Sequence, residues 1–130
     1  MAAVWTRRRP RAFAAVMLLA LCAIAPGAMR EAAARTGDIS LSALPAEARA
    51  TLKLIHAGGP FPYSRDGVVF NNREHILPAM PRGYYREFTV PSPGVKSRGG
   101  RRIVCGGTVA TLSECYYSND HYQSFRRIRP

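Results

Sequence analysis

The sequence has few acidic residues, few cysteines and no long apolar segment. Its 130 residues include 8 Asp and Glu against 19 Lys and Arg, which gives a formal net charge of +11. The hydrophobic share of 47% excludes a disordered polyelectrolyte, and the mean hydropathy of -0.13 excludes a multi-span membrane protein. The length predicts one small domain. The surplus of positive charge indicates a polyanionic partner, such as nucleic acid, an anionic membrane or an acidic polysaccharide, or else a device for solubility and export.

The N-terminal region carries the longest apolar run, Ala12–Ala25. This run has 14 residues, whereas a helix that crosses a bilayer needs roughly 20. Because a basic stretch precedes it, residues 1–34 are predicted to be a secretory signal peptide, cleaved after residue 34 or after residue 27. A twin-arginine signal at Arg7–Arg9 and a lipid anchor at Cys22 are weaker alternatives. Residues 35–130 then form a single secreted domain with no stable membrane anchor.

Removal of the predicted signal peptide leaves the domain basic. Residues 1–34 contain 5 of the 19 cations and 1 of the 8 anions, so residues 35–130 keep 14 cations and 7 anions, a net charge of +7. Two cysteines remain, Cys105 and Cys115, and an oxidising compartment favours a disulfide between them. Such a bond would stabilise this small domain by about 2 to 3 kcal/mol. Two thiols without a nearby histidine disfavour a metal site.

The domain is predicted to contain one helix followed by several strands. Within the segment Pro45–Ala57, Ala48, Leu52 and Ile55 recur at helical spacing, and Gly58–Pro60 ends the pattern. Short runs of β-branched and aromatic residues follow, separated by glycine, proline and asparagine: Val68–Phe70, Tyr84–Val90 and Arg102–Cys105. This order predicts an α+β fold, in which the helix packs on one face of a small antiparallel sheet.

The predicted strand Tyr84–Val90 alternates between two faces. Its apolar residues at even positions share one face, and Glu87 lies on the other, which we expect to be open. If the next strand pairs with this one, Arg101 and Arg102 fall on opposite faces and one of them can stand beside Glu87. An exposed pair of this kind is usually only a salt bridge.

Two further segments carry positive charge or a group that transfers protons. The segment from Pro91 to Arg101 is rich in glycine and basic residues, and such a loop can wrap around an anion. Near the C-terminus, the turn-forming segment Ser118–Tyr122 contains His121, a side chain that titrates near neutral pH. A lone loop histidine is more often idle than catalytic. Together, however, a carboxylate, a histidine and two arginines can cleave a phosphodiester without metal.

Six segments occur in an order that points to a known family. They are Leu41–Pro45, Gly59–Phe70, Asn72–Glu74, Gly83–Val90, Arg101–Cys105 and Tyr116–Tyr122. These segments resemble the secreted bacterial guanyl-specific ribonucleases, to which barnase is distantly related, and the resemblance covers nearly all of residues 41–125. The microbial ribonuclease fold of that family, a helix against a small antiparallel sheet, agrees with the α+β prediction.

The resemblance implies a metal-independent endoribonuclease without a cofactor, which cleaves single-stranded RNA 3′ to guanosine. It implies that Glu87 is the general base for the ribose 2′-hydroxyl and that His121 is the general acid for the departing 5′-oxygen. Arg98 and Arg102 correspond to the family's phosphate-binding arginines. The implied products are a 2′,3′-cyclic phosphate and then a 3′-phosphate. The need for a 2′-hydroxyl explains why RNA is cleaved and DNA is not.

The resemblance also implies a guanine-binding loop formed by Phe70, Asn71, Asn72, Arg73 and Glu74. Glu74 would accept hydrogen bonds from guanine N1–H and the 2-amino group, and the backbone amides of the three residues before it would address O6 and N7. Phe70 or a nearby aromatic residue would offer a stacking surface for the base. Two tyrosines correspond to residues of the same cleft, Tyr63 and Tyr122, although packing at the sheet rim explains Tyr63 equally well.

By this resemblance the chain is expected to depart from the family in three respects. Ser40 stands where close relatives have a cysteine that ties the two chain ends together, and the segment Gly106–Glu114 is a few residues longer than usual. Arg65 and Arg86 add positive charge near the expected cleft. The resemblance further implies a monomer and an acidic intracellular inhibitor protein similar to barstar. The alternative function is a non-catalytic cationic module that binds RNA or anionic surfaces on the same fold. A metal-dependent nuclease is disfavoured because the sequence lacks clustered carboxylates.

Overall fold

The computed structural model describes residues 36–108 and 111–130. The predicted signal peptide, with Cys22, lies outside the described residues. A short 3-10 helix, Leu41–Ala43, follows the first strand. The other elements, in chain order, are β1 (Thr36–Ser40), α1 (Ala46–Ala57), β2 (Val68–Val69), β3 (Tyr85–Thr89), β4 (Arg102–Thr108), β5 (Thr111–Ser118) and β6 (Phe125–Arg129).

Helix α1 occupies the predicted segment and buries the predicted face. Ala48, Leu52 and Ile55 are all buried, as their helical spacing requires. The helix ends at Gly58, whose φ of 79° lies in the left-handed region that glycine adopts readily. The amide of Gly58 donates to the carbonyl of Ile55, which satisfies one of the free carbonyls of the last turn. Across the part of the chain that the structure describes, no helix is long and apolar enough to cross a membrane.

The six strands form one sheet in the order β1-β6-β5-β4-β3-β2. Every neighbouring pair from β2 to β6 is antiparallel, whereas β1 lies parallel to β6. The predicted α+β fold is confirmed, and the sheet is mixed rather than purely antiparallel because of this edge strand. Strand β1 could not be predicted, because Gly37 and Asp38 interrupt any apolar alternation in the sequence. Both residues are exposed in the structure.

Each face of the sheet carries its own apolar cluster. On one face α1 packs against side chains of the central strands, among them Phe88, Ile103 and Tyr117. On the opposite face a second cluster joins the segment after β2 to the sheet, through Leu77, Tyr85, Val104, Tyr116 and Phe125. The second face also carries the polar residues of the candidate site, so the first cluster holds the fold together while the second supports the site.

The predicted alternation of β3 is wrong at one position. Tyr84 was expected to share a face with Phe88, but it packs against the opposite cluster, beside Tyr85. Strand β3 begins only at Tyr85, and the amide of Tyr84 donates to the carbonyl of Pro81 in the preceding turn. Because Tyr84 belongs to a turn, the alternation of the strand does not determine where its side chain points.

The structure contains the predicted disulfide. Cys105 of β4 and Cys115 of β5 are directly opposite each other, with their Cα atoms 4.1 Å apart. Both are buried in the cluster beneath α1. The register of the two strands shifts just beyond the disulfide, between Gly106 and Gly107. The bond therefore joins the two strands directly beside this irregularity.

Candidate active site

Glu87 lies at the centre of the candidate site, on the sheet face opposite α1. The sequence predicted this face but also an open position, and in that respect the prediction was wrong, because Glu87 is only 6% exposed. Three side chains from separate segments contact its carboxylate: Arg65, Arg98 and Tyr122. Burial of a carboxylate is costly unless donors of this kind replace the water that it loses.

Arg98 provides the nearest cation to Glu87. Its Nη2 lies 3.4 Å from Glu87 Oε1, and its Nε donates to Oγ1 of Thr89 at 2.9 Å. One guanidinium therefore spans two side chains of β3 that point to the same face. Arg65 adds a second cation, with its Nη2 3.8 Å from the same Glu87 oxygen and its side chain 62% exposed.

Arg101 and Arg102 lie on opposite sides of the sheet, as predicted. Arg101 lies on the helix side, where its Nη1 is 3.8 Å from Oε2 of Glu47 in α1. Arg102 lies on the side of Glu87, but the strand register places it opposite Thr89 instead. Arg102 therefore stands on the same face as Glu87 and diagonal to it across the two strands, not directly opposite it.

Arg102 is connected to Glu87 through the hydroxyl of Tyr122. The Nε of Arg102 donates to this hydroxyl at 2.9 Å, and the hydroxyl donates to Glu87 Oε2, also at 2.9 Å. Nη1 of Arg102 donates to the carbonyl oxygens of Gly99 and Arg101, which fixes the 2% exposed guanidinium in place. Burial and the contact with Glu87 raise the pKa of Tyr122 against the opposing effect of Arg102, so the hydroxyl stays protonated.

His121 and Tyr122 lie in the turn after β5, and both have a left-handed backbone, with φ of 56° and 70°. Non-glycine residues rarely adopt this region, so surrounding bonds must hold the turn. The amide of His121 donates to the carbonyl of Gly100 at 2.9 Å, and the amide of Tyr122 donates to Oγ of Ser118 at 3.0 Å. The His121 side chain is exposed, with its ring 5.1 Å from the Tyr122 ring.

Asp120 anchors this turn. Its carboxylate accepts hydrogen bonds from the Ser118 hydroxyl at 3.0 Å, from the amide of Ser124 at 2.9 Å and from the Ser124 hydroxyl. Burial alone would raise the pKa of Asp120, but the donors from Ser124, Ser118 and the backbone of Gln123 outweigh it and lower the pKa. The charged form of Asp120 therefore stabilises the turn that carries His121.

The predicted guanine-binding loop is closed by the side chain of Asn72. Its Nδ2 donates to the carbonyl of Leu77 at 2.9 Å, and its Oδ1 accepts from the amide of Leu77 at 3.1 Å. Asn72 is buried and has a φ of 49°. Both ends of its side-chain amide are engaged with Leu77, so this side chain holds the loop closed. Asn71, Arg73 and Glu74 of the same loop are exposed.

Phe70 connects this loop to the turn after β5. Its ring stacks on Tyr122, with centroids 5.3 Å apart, and meets Phe125 edge-on at 5.7 Å. Aromatic contacts of this geometry stabilise the packing beyond the area they bury. The loop and the turn therefore keep a fixed distance across the site.

A cleft of about 720 Å³ brings most of the predicted residues together. Its lining includes Phe70, Asn71, Asn72, Arg73, Glu74, Glu87, His121 and Tyr122. Among the described residues, Arg98, Arg102 and Tyr63 are not part of this lining. The two arginines reach the cleft through their contacts with Glu87 and Tyr122. Tyr63 lies half-buried in a turn, where its amide donates to Oδ2 of Asp66 at 3.2 Å.

Comparison with known proteins identifies the family to which this fold and cleft belong. A family model described as ribonuclease matches residues 29–129. Guanyl-specific ribonuclease Sa of Kitasatospora aureofaciens is 54% identical over 93 residues, which cover 72% of this chain and 94% of that protein. The chain belongs to the microbial guanyl-specific ribonuclease family.

Further members of this ribonuclease family extend the comparison. Guanyl-specific ribonuclease Sa3 of the same organism is 56% identical over 92 residues, which cover 71% of this chain. The chain spans only 63% of the length of that relative. A solved structure of ribonuclease Sa2 in complex with mononucleotides has 50% identity and a TM-score of 0.69, covering 73% of this chain and 95% of that one. A structure of ribonuclease Sa2 with guanosine-2′-cyclophosphate has 52% identity and a TM-score of 0.66.

The site of this family member also contains a positioning residue that the sequence did not reveal. Asp66 accepts a hydrogen bond from the amide of Thr89 at 2.7 Å and so ties the turn before β2 to the end of β3. An Asp-Gly pair, Asp66–Gly67, was visible as a turn signal, but its contact with β3 is too distant in sequence to infer. Within residues 36–108 and 111–130, no group of three His, Cys, Asp or Glu side chains is placed to hold a metal ion.

Proposed function

We propose that this chain is a guanyl-specific endoribonuclease that cleaves single-stranded RNA 3′ to guanosine. One observation carries the proposal: the buried carboxylate of Glu87, the exposed His121 and the loop Phe70–Glu74 line a single cleft. An acid–base pair beside a loop that can recognise a base suits cleavage next to one kind of nucleotide. The relatives named above are guanyl-specific ribonucleases, and ribonuclease Sa2 has been solved with guanosine-2′-cyclophosphate and with 3′-GMP.

In the proposed reaction Glu87 is the general base and His121 the general acid. Glu87 takes the proton of the ribose 2′-hydroxyl, the 2′-oxygen attacks phosphorus, and the bond from phosphorus to the 5′-oxygen breaks as His121 protonates that oxygen. The first product is a 2′,3′-cyclic phosphate. Water then attacks the cyclic phosphate with the two roles exchanged: His121 takes the water's proton, and Glu87 protonates the 2′-oxygen as its bond to phosphorus breaks. The final product is a 3′-phosphate.

Arg98 and Arg102 neutralise the charge that develops on the phosphate in this proposal. Arg98 contacts Glu87 directly, and Arg102 contacts it through Tyr122, so both guanidinium groups stand beside the general base before substrate binds. Donors that are already oriented need no rearrangement during the reaction. Burial of Arg102 strengthens its effect, because charges interact more strongly where water is excluded.

Guanine specificity is assigned to the loop Phe70–Glu74. The exposed carboxylate of Glu74 accepts hydrogen bonds from guanine N1–H and the 2-amino group, which adenine cannot provide in the same arrangement. The side chain of Asn72 is engaged with Leu77, which supports recognition of O6 and N7 by the backbone amides of Asn71, Asn72 and Arg73. Phe70 offers an aromatic surface at the cleft. Tyr63 does not line the described cleft. Its contact with the RNA substrate is part of this proposal.

Secretion, processing and partners belong to the same proposal. Residues 1–34 act as a signal peptide, and residues 35–130 are the secreted monomeric domain. The disulfide between Cys105 and Cys115 supports an oxidising destination. Arg65 and Arg73 at the cleft support the binding of an acidic intracellular inhibitor protein similar to barstar, since complementary charge favours rapid association.

Digestion of a defined RNA, with the fragment ends mapped, tests the proposal. The purified protein is expected to cut after guanosine, to leave 2′,3′-cyclic phosphate ends at early times, and to act equally with and without a chelator. A general acid or base raises the rate of such a reaction by about 10²- to 10⁴-fold. Glu87→Gln and His121→Gln should therefore each lower kcat by about that factor.

Matched variants distinguish chemistry from a general loss of charge. Glu47→Gln and His56→Gln make the same chemical changes on α1, on the other side of the sheet, and should retain full activity. Intact RNA after prolonged digestion, or variants of Glu87 and His121 as active as their controls, would contradict the proposal. Salt-sensitive RNA binding without turnover would then favour the alternative, a non-catalytic cationic module.

A further inference from the structure

A second cavity, of about 420 Å³, lies against the same loop as the cleft. The two cavities share the four consecutive residues Phe70–Arg73 as a common wall. The rest of the second cavity is formed by Met80, Pro81 and Arg82, which precede β3, and by Tyr85, the first residue of that strand. Its lining includes neither Glu87 nor His121. The cavity therefore adjoins the guanine-binding loop on a side that does not carry the acid–base pair.

The charge of this cavity is positive and is not balanced locally. Arg73 and Arg82 both line it and are both exposed, and no Asp or Glu belongs to its described lining. Within residues 36–108 and 111–130, neither arginine forms an ion pair or a side-chain hydrogen bond. Other cations of the chain do have carboxylate partners, for example Arg127 with Glu114 at 3.6 Å. Two free guanidinium groups at one concave surface favour an anion, and a guanidinium matches the oxygens of a phosphate.

The polarity of an RNA strand identifies the phosphate that can reach this cavity. If guanine lies on the loop Phe70–Glu74, the 3′-phosphate of that nucleotide faces Glu87 and His121, because those residues cleave it. The strand on the 5′ side of the guanosine must then leave the loop in another direction. We infer that the cavity between the loop and Arg82 binds the phosphodiester on the 5′ side of the cleaved guanosine. This inference rests on the proposed function and extends it to a longer substrate.

Three short substrates test the inference. GpC has no upstream phosphate, the trinucleotide dUpGpC has one, and the third substrate replaces that upstream diester of dUpGpC by a neutral methylphosphonate. The upstream phosphate is expected to raise kcat/KM by about 3- to 10-fold over GpC, as one or two partly exposed ion pairs would do. The methylphosphonate should remove this gain, since it retains the nucleoside but not the charge.

Substitution of Arg82 locates the effect. Arg82→Gln should cleave GpC as the unmodified protein does but lose the gain from the upstream phosphate. Arg126→Gln removes an exposed cation of β6 outside the cavity lining and should keep the gain. A gain that survives in Arg82→Gln, that falls equally in Arg126→Gln, or that persists with the methylphosphonate would overturn the inference. Cleavage of GpC with no gain overturns this inference alone, whereas failure to cleave GpC contradicts the proposed function itself.

Discussion

At the scale of single residues, Tyr122 couples a buried carboxylate to a buried guanidinium. Its hydroxyl accepts a hydrogen bond from Arg102 and donates one to Glu87. A single oxygen atom therefore supplies one hydrogen-bond partner to each of the two charged groups. Among the described residues, every buried side-chain nitrogen and oxygen has a hydrogen-bond partner. A network without gaps is rigid, but loss of any one member leaves a buried charge without its partner.

Tyr122→Phe is expected to weaken both stability and catalysis. The ring and its stacking on Phe70 remain, but the hydroxyl that joins Arg102 to Glu87 is lost. Leaving buried polar groups unsatisfied costs about 1 to 3 kcal/mol, so the free energy of unfolding in urea should fall by about that amount. The kcat for GpC should fall as well, because Arg102 and Glu87 lose their fixed separation.

Tyr63→Phe is the matched control for this change. Among the described residues no hydrogen bond involves the Tyr63 hydroxyl, so its removal should alter the free energy of unfolding by less than about 0.5 kcal/mol. Equal effects of Tyr122→Phe and Tyr63→Phe on stability would refute the coupling through Tyr122.

The sequence could indicate most of the residues that share the candidate cleft, but it could not indicate the burial of Glu87. Strand alternation assigns Glu87 to the face opposite the helix without saying what covers that face. The covering groups, Arg65, Arg98 and Tyr122, come from three segments that are distant in sequence. Pairing of Arg102 with Thr89 depends on the strand register, which the loop before β4 sets and the local pattern does not.

At the scale of structural elements, the turn after β5 is held by one charged side chain. Asp120 collects donors from both ends of the turn, from Ser118 and from Ser124, while His121 and Tyr122 adopt left-handed conformations between them. These conformations are unfavourable for residues other than glycine. The hydrogen bonds to Asp120 offset that cost and keep His121 at the cleft.

Asp120→Asn should destabilise the protein in a manner that depends on pH. The folded-state pKa of Asp120 is lowered, so its stabilising effect is present above the unfolded-state pKa of about 3.9 and disappears as pH falls through the lower, folded-state pKa. At pH 7 the variant should lose about 1 to 3 kcal/mol of unfolding free energy, the usual contribution of hydrogen bonds to a charged group. The difference between the two proteins should shrink steadily in urea titrations below pH 4.

Asp38→Asn provides the comparison. Asp38 is exposed on the edge strand β1 and pairs with Arg129 at 3.3 Å, a surface salt bridge that contributes little. Its substitution should change stability only slightly at every pH. A deficit of Asp120→Asn that stays constant down to pH 2 would refute the role of the charged carboxylate.

Helix α1 and the strands β2, β3 and β4 could be predicted, because their residues show helical spacing or the composition typical of strands. Helix α1 combines apolar residues at helical spacing with Gly58 at its end, and β3 and β4 are rich in β-branched and aromatic residues. Strands β1, β5 and β6 could not be predicted in this way, although β5 and β6 lie inside the sheet. In β6, for example, Arg126 and Arg127 follow Phe125 and leave no apolar alternation. Pairing with β1 and β5 on its two sides stabilises this strand despite its charge.

At the scale of the whole molecule, the surplus of cations is distributed unevenly. Away from the cleft, ion pairs join one cation to one anion, as in Arg101 with Glu47 and Arg129 with Asp38. Beside the cleft, the single carboxylate of Glu87 faces both Arg65 and Arg98. The site that would receive phosphate therefore retains positive charge, which attracts RNA at long range.

Salt is expected to weaken the attraction to RNA without weakening the recognition of guanine. For single-stranded RNA each neutralised phosphate contributes about −0.7 to the slope of log(kcat/KM) against log[salt], so three or four phosphates give a slope of about −2 to −3. The affinity for guanosine, an uncharged nucleoside that meets only the loop Phe70–Glu74, should change by less than about twofold between 50 and 500 mM salt, because no counterion is released when it binds. Parallel losses of RNA cleavage and guanosine binding would show instead that salt perturbs the loop, and cleavage that ignores salt would show that the surplus charge has no part in capturing the substrate.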